Sequence, residues 1–290
     1  MHEKKEGAVS DPKTDPQAVR EKLKTLIARN PAYKEMCEFV GGLLLKTMGP
    51  GLMGVSLDIE SQVDDAKLAQ GKPLLDRAAL ELDWTRVWNL AERLAREVDQ
   101  RPKGAGTARV MANLRAGARG DAGLLRAVLN SDYQALEQAA KEQGSQMQAV
   151  GLVMRLALRP QMLSAAKAAR GQSDIKGWSF GHCPVCGSAP GLAQLDGPDG
   201  QRALHCALCE TTWPYTRLKC PFCEKQEPGS ISYVKAENEE GLQAELCAGC
   251  GQYIKTLDLR QVAGPIIMPL DDAASWHLDL IAQRHGTDQG

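Results

Sequence analysis

The chain has 290 residues and a formal net charge of −1, which points to neither nucleic acid nor a membrane surface. Its length is enough for one large domain or two of ordinary size, and 43% hydrophobic residues allow a sizeable core. The longest apolar candidate, VGLVMRLAL (150–158), is interrupted by Arg155 and is shorter than the roughly 18 residues of a membrane span. The polar N-terminus lacks the apolar segment of a secretory signal, so we expect a cytoplasmic protein.

The first part of the chain has a helical pattern. Residues 1–15 are polar and are predicted to form a disordered arm, and residues 16–175 are predicted to form an all-α domain with its own apolar faces. The segment DWTRVWNLAERLAREVD shows the helical spacing best, with Asp83 as its N-cap. Ser131 is a candidate cap for a second helix. Pro160 is expected to kink or end a third.

The pattern changes at GQSDIKGWSFGHC (171–183), where Gly, Ser and Asp break the last helix. From there to about residue 262 the segments are short, as in RALHC, SISYVKAE and LQAELC, and they are typical of β-strands. LDDAASWHLDLIAQRHG, within 263–290, is predicted to form a short closing helix. The sequence therefore indicates an α+β multidomain protein.

Eight of the nine cysteines form four Cys-x-x-Cys pairs, with the spacings C-x2-C-x19-C-x2-C and C-x2-C-x23-C-x2-C. A turn of this length brings both sulfurs to one side, and two facing pairs make a tetrahedral four-sulfur cage that suits zinc or iron. We predict two divalent metal ions, in zinc-ribbon modules spanning 183–214 and 215–262. The predicted ligands are Cys183, Cys186, Cys206, Cys209, Cys220, Cys223, Cys247 and Cys250.

Several alternatives are open at this point. The metals can be purely structural, which we favour, or can also sense redox state or be delivered elsewhere. A thioredoxin-like redox dithiol is disfavoured because the sequence lacks the βαβ setting that it needs. Sequential pairing of the Cys-x-x-Cys units closes shorter loops than interleaved pairing, so we prefer it. His182 and His205 each precede a cysteine and are interpreted as bystanders. Cys37 is interpreted as a buried apolar residue.

The short connector TTWPYTRLKC lies between the two predicted cages. Its Trp213, Tyr215 and Arg217 are residue types that often dominate protein interfaces, so we name them as candidate partner-binding residues. The same side chains could equally pack the two modules together.

The series CPVCGS, LHCALCETTW, RLKCPFC and LCAGCGQYIKTLDL, with the tail AASWHLDLIAQRHG, resembles the formate dehydrogenase accessory protein family FdhE across roughly 180–287. The resemblance implies a helical N-terminal domain followed by two tandem rubredoxin-like modules. It also implies a non-catalytic maturation factor, in effect a chaperone, for respiratory formate dehydrogenase. Its partner would be the molybdenum- or tungsten-containing catalytic subunit, bound in the cytoplasm before twin-arginine export.

Two other classes of protein compete with this interpretation. A zinc-ribbon nucleic-acid binder is disfavoured because residues 183–290 hold eight Lys and Arg against fourteen Asp and Glu, a net charge of −6. The remaining residues, 1–182, therefore carry +5, which keeps that alternative open. A thiol-disulfide oxidoreductase would need an accessible thiol of low pKa. The sequence shows no GxGxxG, P-loop, nucleophile elbow or HExxH motif, so we expect no enzymatic activity.

Overall fold

The structure is a computed structural model that describes residues 11–49, 51–52, 65–101, 106–116, 123–144, 147–237 and 239–287. Its helices are α1 (Pro16–Arg29), α2 (Lys34–Lys46), α3 (Asp65–Ala69), α4 (Trp84–Asp99), α5 (Thr107–Ala116), α6 (Gly123–Leu129), α7 (Tyr133–Glu142), α8 (Met147–Gln172), α9 (Met268–Ala274) and α10 (Trp276–Thr287), with a short 3₁₀ helix at Pro31–Tyr33. Its strands are β1 (Pro190–Asp196), β2 (Gln201–Cys206), β3 (Thr212–Pro214), β4 (Ile231–Val234), β5 (Leu242–Cys247) and β6 (Tyr253–Asp258).

Residues before the first strand form helices, as predicted, but the caps of these helices differ in part from the prediction. Asp83 caps α4 by accepting from the N–H of Arg86, as expected. The cap of α7 is Asp132, and the preceding Ser131 takes a left-handed backbone with φ of 63°, so the prediction of Ser131 as the cap is wrong. A short polar side chain one residue later makes the same bond to the first turn.

The longest helix, α8, passes through Pro160, so the expectation that the helix could end there is wrong. A proline inside a helix costs about 3 kcal/mol. Here α8 packs against α4, α5, α6 and α7, and most of its residues from 150 to 169 are buried. The packing of α8 against these four helices therefore outweighs the tendency of Pro160 to break the helix. Within the described ranges, no helix combines the length and the apolar character needed to cross a membrane.

The predicted disordered arm, residues 1–15, is only partly testable, because residues 1–10 lie outside the described residues. Residues 11–15 are ordered, which corrects the prediction. Asp15 caps α1 through the N–H of Gln17 at 2.8 Å. The Lys13 carbonyl accepts from Arg159 Nη2 at 2.6 Å, and the Lys13 ammonium donates to the Glu210 carbonyl. These contacts hold the segment against the metal-binding part of the chain.

The six strands form one sheet in the order β3-β2-β1-β6-β5-β4. Each predicted metal module contributes three antiparallel strands, and the two halves meet where β1 runs parallel to β6, with Leu192 opposite Lys255. The α+β class with two cysteine-rich modules is thus confirmed. The modules are not separate bodies, because their strands share one hydrogen-bonded sheet.

The closing segment forms two helices instead of the one predicted. The break falls at Ser275, whose hydroxyl donates to the Asp271 carbonyl at 2.7 Å and so takes up an acceptor at the end of α9. Helix α9 packs on α1, α2 and β1, whereas α10 packs on β4, β5 and β6. Leu278 and Ala282 of α10 are buried in a second apolar cluster together with Leu242.

The main hydrophobic core extends across the predicted domain boundary near residues 175–182. One cluster joins Trp88 and Leu94 of the helical part to Val185, Leu204 and all four cysteines of the first cage. The buried ion pair of Arg159 in α8 with Glu210 adds to this linkage. Two further buried pairs join other parts of the fold, Lys22 of α1 with Asp271 of α9, and Arg202 of β2 with Glu245 of β5. The helical part and the first module therefore share one core.

The Arg202–Glu245 pair yields a test of how firmly the halves of the sheet are joined. Arg202 Nη2 lies 2.7 Å from Glu245 Oε2, and both side chains are buried although two strands lie between them. Glu245→Ala leaves a buried guanidinium without its carboxylate and should lower the free energy of unfolding by about 3 kcal/mol. Urea denaturation measures this.

The matched control is Glu38→Ala, which removes the exposed partner of Lys34. That change should cost less than about 0.5 kcal/mol, because surface pairs contribute little. Equal losses for the two variants would contradict a structural role for the buried pair.

Candidate metal centres

The structure groups the eight predicted cysteines into two sets whose sulfur atoms all lie within 4.8 Å of one another: Cys183, Cys186, Cys206 and Cys209 in the first cage, and Cys220, Cys223, Cys247 and Cys250 in the second. Sequential pairing is therefore confirmed and interleaving excluded. Across the first cage, Cys183 Sγ is 3.6 Å from Cys209 Sγ. Across the second, Cys223 Sγ is 3.7 Å from Cys247 Sγ.

Each Cys-x-x-Cys unit forms a tight turn whose N–H groups point at the sulfur of its first cysteine. Cys206 Sγ accepts from Leu208 and Cys209 at 3.3 and 3.4 Å, and Cys183 Sγ accepts from the equivalent residues of its own turn. In the second cage, Phe222 N–H donates to Cys220 Sγ, and Gly249 N–H donates to Cys247 Sγ. Such donors stabilise the thiolate, which is the form that binds a metal.

The residue after the second cysteine of every turn has a left-handed backbone. The φ angles are 72° at Gly187, 54° at Glu210, 59° at Glu224 and 70° at Gly251. The two glycines adopt this conformation readily, whereas the residue type does not predict it at the two glutamates. For a non-glycine residue this conformation costs about 1–2 kcal/mol. The position after a paired cysteine is itself the signal that could have marked them.

Both glutamates use their side chains in ways that a glycine could not. Glu210 forms the buried ion pair with Arg159 at 2.6 Å, which ties the first cage to α8. Glu224 accepts from the N–H of Gly181 at 3.1 Å and from Lys219 Nζ at 3.1 Å, which ties the second cage to the segment that precedes the first. The backbone strain is thus offset by contacts that fix the two cages within the fold.

The donor set fits a thiophilic divalent ion. Burial raises the pKa of the Cys220 thiol to about 12. Burial also opposes ionisation of Cys247, but N–H donors from Cys250 and Gly249 bring its pKa down to about 7. Four thiolates within 4.8 Å repel one another, so a cation is needed for all of them to ionise together. Four sulfur ligands with N–H donors and no oxygen donor match zinc or iron.

The two histidines are not members of either cage, in agreement with their interpretation as bystanders. His182 Nε2 lies 3.2 Å from the Gly71 carbonyl. His205 sits between Gln194 and Thr212, and burial lowers its pKa to about 3. Cys37 is 1% exposed in the helical part, and burial raises the pKa of its thiol, in agreement with an apolar structural role.

The connector is largely internal. Trp213 is 1% exposed and its Nε1–H donates to the Phe180 carbonyl at 3.1 Å. Tyr215 is 6% exposed, and its hydroxyl donates to the Cys220 carbonyl at 3.0 Å. Both side chains are therefore internal, which corrects their assignment as partner-binding residues. Arg217 is exposed, and the adjacent Leu218 is 56% exposed.

The two cages are joined by a close backbone approach. A Cβ atom on Gly181 would lie 1.9 Å from the carbonyl oxygen of Pro221, which is between the first two ligands of the second cage. Gly181 is two residues before Cys183, the first ligand of the other cage. Only a residue without a Cβ at position 181 allows the Cys220–Cys223 turn to pack against the segment that leads into the first cage.

Comparison with known proteins bears on this region. Residues 182–217 match a family model described as FdhE, central domain, and residues 218–290 match one described as FdhE, C-terminal domain. Residues 182–290 are therefore similar to the central and C-terminal domains of FdhE proteins. The resemblance read from the cysteine motifs is therefore confirmed for this part of the chain.

Individual FdhE relatives also match a stretch of about 110 residues of this chain. A protein FdhE homolog of Aquifex aeolicus is 38% identical over 112 residues, which are 38% of this chain and 39% of the relative. A protein FdhE homolog of Haemophilus ducreyi is 43% identical over 108 residues, or 36% of this chain and 34% of the relative. The chain thus matches little more than a third of the length of these FdhE relatives.

The fold extends the similarity to the helical part. The crystal structure of the FdhE protein from Pseudomonas aeruginosa superposes with a TM-score of 0.65 at 21% sequence identity. The superposition covers 96% of this chain and 93% of that one. Helices and sheet therefore share the overall architecture of an FdhE protein.

The Gly181 contact leads to a prediction for the coupling of the cages. Gly181→Ala forces the backbone of Pro221 to move, and we expect a loss of about 3 kcal/mol, near the upper end for overpacking, because the clash is with backbone. Urea denaturation of the metal-loaded protein measures it. Gly177→Ala is the matched control, since its added Cβ meets no atom within 4 Å. If both variants are as stable as the parent, the contact does not couple the cages.

Proposed function

We propose that this protein is a non-catalytic assembly factor for respiratory formate dehydrogenase, and that it holds two divalent metal ions, zinc or iron, in its two cysteine cages. The observation that carries the proposal is the pair of four-cysteine cages within a region of the FdhE family. A four-coordinate site filled by protein sulfurs has no position left for water or substrate, so the metals supply stability and not hydrolysis. This favours a function in binding.

The proposed partner is the catalytic subunit of formate dehydrogenase, bound in the cytoplasm before that subunit is exported. Support for the partner comes from the family relationship alone. Support for a binding function comes from the fold, because buried ion pairs join α8 to the first cage and β2 to β5, which holds the sheet and α8 in one arrangement. A rigid surface loses little conformational entropy when it binds.

We propose that the exposed end of the connector, Arg217 and Leu218, takes part in that contact. Arg217 Nη1 donates to the Asp199 carbonyl at 3.1 Å, so its guanidinium is held at the surface. Leu218 has a left-handed φ of 60° and is 56% exposed, which is an unfavourable position for an apolar side chain that has no partner. The preceding connector residues Trp213 and Tyr215 are buried and anchor Arg217 and Leu218 to the fold.

Metal content is the first test of the proposal. Anaerobically purified protein should contain close to two divalent ions per chain, because both cages have four ligands. Cys220→Ser with Cys223→Ser should leave one ion and a folded protein. Cys183→Ser with Cys186→Ser should abolish helical circular dichroism as well, because the first cage lies in the core shared with the helices. A reproducible content of one ion in the parent would contradict the two-cage model.

Partner binding is the second test. The double change Arg217→Ala and Leu218→Ala should reduce co-purification of the formate dehydrogenase catalytic subunit by about tenfold while two metals stay bound. Leu280→Ala is the matched control, because it removes another exposed leucine, on α10, far along the chain. Undiminished retrieval by the double variant would place the interface elsewhere. Failure of the parent protein to retrieve the subunit would overturn the proposed function.

A further inference from the structure

The two cages have the same ligands but different access to solvent. In the first cage all four cysteines are at most 1% exposed. In the second, Cys220 and Cys247 are buried, whereas Cys250 is partly exposed and Cys223 is exposed. Ala248, Gly249 and Gly251 beside Cys250 are exposed as well, so the opening includes the backbone around that ligand.

The first cage is covered by the helical part of the chain. Leu74 and Leu75 donate backbone N–H groups to the carbonyls of Pro184 and Val185 at 2.9 and 2.8 Å, so residues 74–75 lie directly over the first turn. Arg77 adds a hydrogen bond to Ser188 Oγ at 3.0 Å. Opening this turn requires the separation of the helical part from the sheet.

The second turn of the first cage is held from another direction. Glu210 follows Cys209 and is paired with Arg159 inside the main core, and the ammonium of Lys13 donates to the Glu210 carbonyl. All four cysteines of this cage belong to the main hydrophobic cluster. Ligand loss from the first cage therefore requires disruption of the core, whose opening free energy approaches that of global unfolding.

We propose that the second cage is an exchangeable metal site that gains and loses its ion in the folded protein, while the first cage holds its ion until the protein unfolds. This inference rests on the proposed presence of two metals. Cys223 is the ligand at which exchange begins, because it is the exposed residue among the four cysteines of this cage. The exposed backbone on both sides of Cys250 allows that turn to move next.

The exchange is a substitution without change in oxidation state. Each metal–sulfur bond that breaks is replaced by a bond to the incoming ligand, and each freed thiolate takes a proton from water. The incoming ligand is a small thiol or amine chelator, or an exposed metal-binding group of another protein. The N–H donors to Cys220 and Cys247 stay in place throughout, so the site keeps half of its geometry for reloading.

The test uses the full chain loaded with two Zn²⁺ ions and a chromogenic zinc chelator, 4-(2-pyridylazo)resorcinol, in excess under native conditions. One equivalent of zinc should be released at least about tenfold faster than the other. The Cys220→Ser, Cys223→Ser variant should lose the fast phase and keep the slow one. Release of both equivalents at one rate, or of neither before unfolding, overturns the proposal.

Labelling of individual cysteines in the unmutated protein tests the proposal even if the Cys220→Ser, Cys223→Ser variant does not fold. The parent protein is exposed to chelator and N-ethylmaleimide together, and modified cysteines are followed by mass spectrometry. Cys37, which is buried and belongs to neither cage, reports global unfolding. Cys223 should be modified well before Cys37, and the first-cage cysteines only together with Cys37. Modification of Cys183 or Cys186 as early as Cys223 overturns the proposal.

The same experiment separates failure of this inference from failure of the proposed metal sites. A protein that cannot be loaded with two zinc ions refutes the proposed sites, and the exchange proposal falls with them. A protein that holds two ions but releases them at one rate refutes only the difference between the cages.

Discussion

The burial of the first four-cysteine cage inside the main core is the constraint on which the rest of the structure depends. Four thiolates and a divalent ion leave a net charge of −2, and such a charge is tolerated away from water only when it is hydrogen-bonded and fixed in place. N–H groups of the two turns supply the hydrogen bonds, and Arg159 of α8 holds the second turn through Glu210. The helical part and the first module therefore share one core.

The single sheet connects the buried first cage to the second cage. Parallel pairing of β1 with β6 fixes the position of one module against the other, and Arg202 and Glu245 repeat the connection on a buried face. The contact of Gly181 with Pro221 and the bond from Gly181 to Glu224 form a third connection, between the turns themselves. Because these three contacts are of different kinds, a small relative movement of the modules would disturb all of them.

Much of the fold is predictable because its signals are local. Amphipathic spacing and Asp83 define α4, and the Cys-x-x-Cys spacing defines both cages and their order. What could not be predicted depends on contacts between residues distant in sequence. The helix continues through Pro160 because four other helices pack around it, and Trp213 is internal because Phe180 accepts its hydrogen bond. The pairing of Glu210 with Arg159, 51 residues earlier, offsets the backbone strain at Glu210 and has no local sequence signal.

The two cages show that ligand identity and spacing do not determine how deeply a four-cysteine site is buried. Their turns share the same N–H donors and the same left-handed residue after the second cysteine. They differ in what lies over them: residues 74–75 cover one, and solvent reaches Cys223 of the other. Since the opening free energy of a site is set by the structure that must separate, the covering segment would determine how firmly an ion in each cage is held. Nothing in the cysteine spacing alone could have distinguished them, because the cover of the first cage comes from more than a hundred residues earlier in the chain.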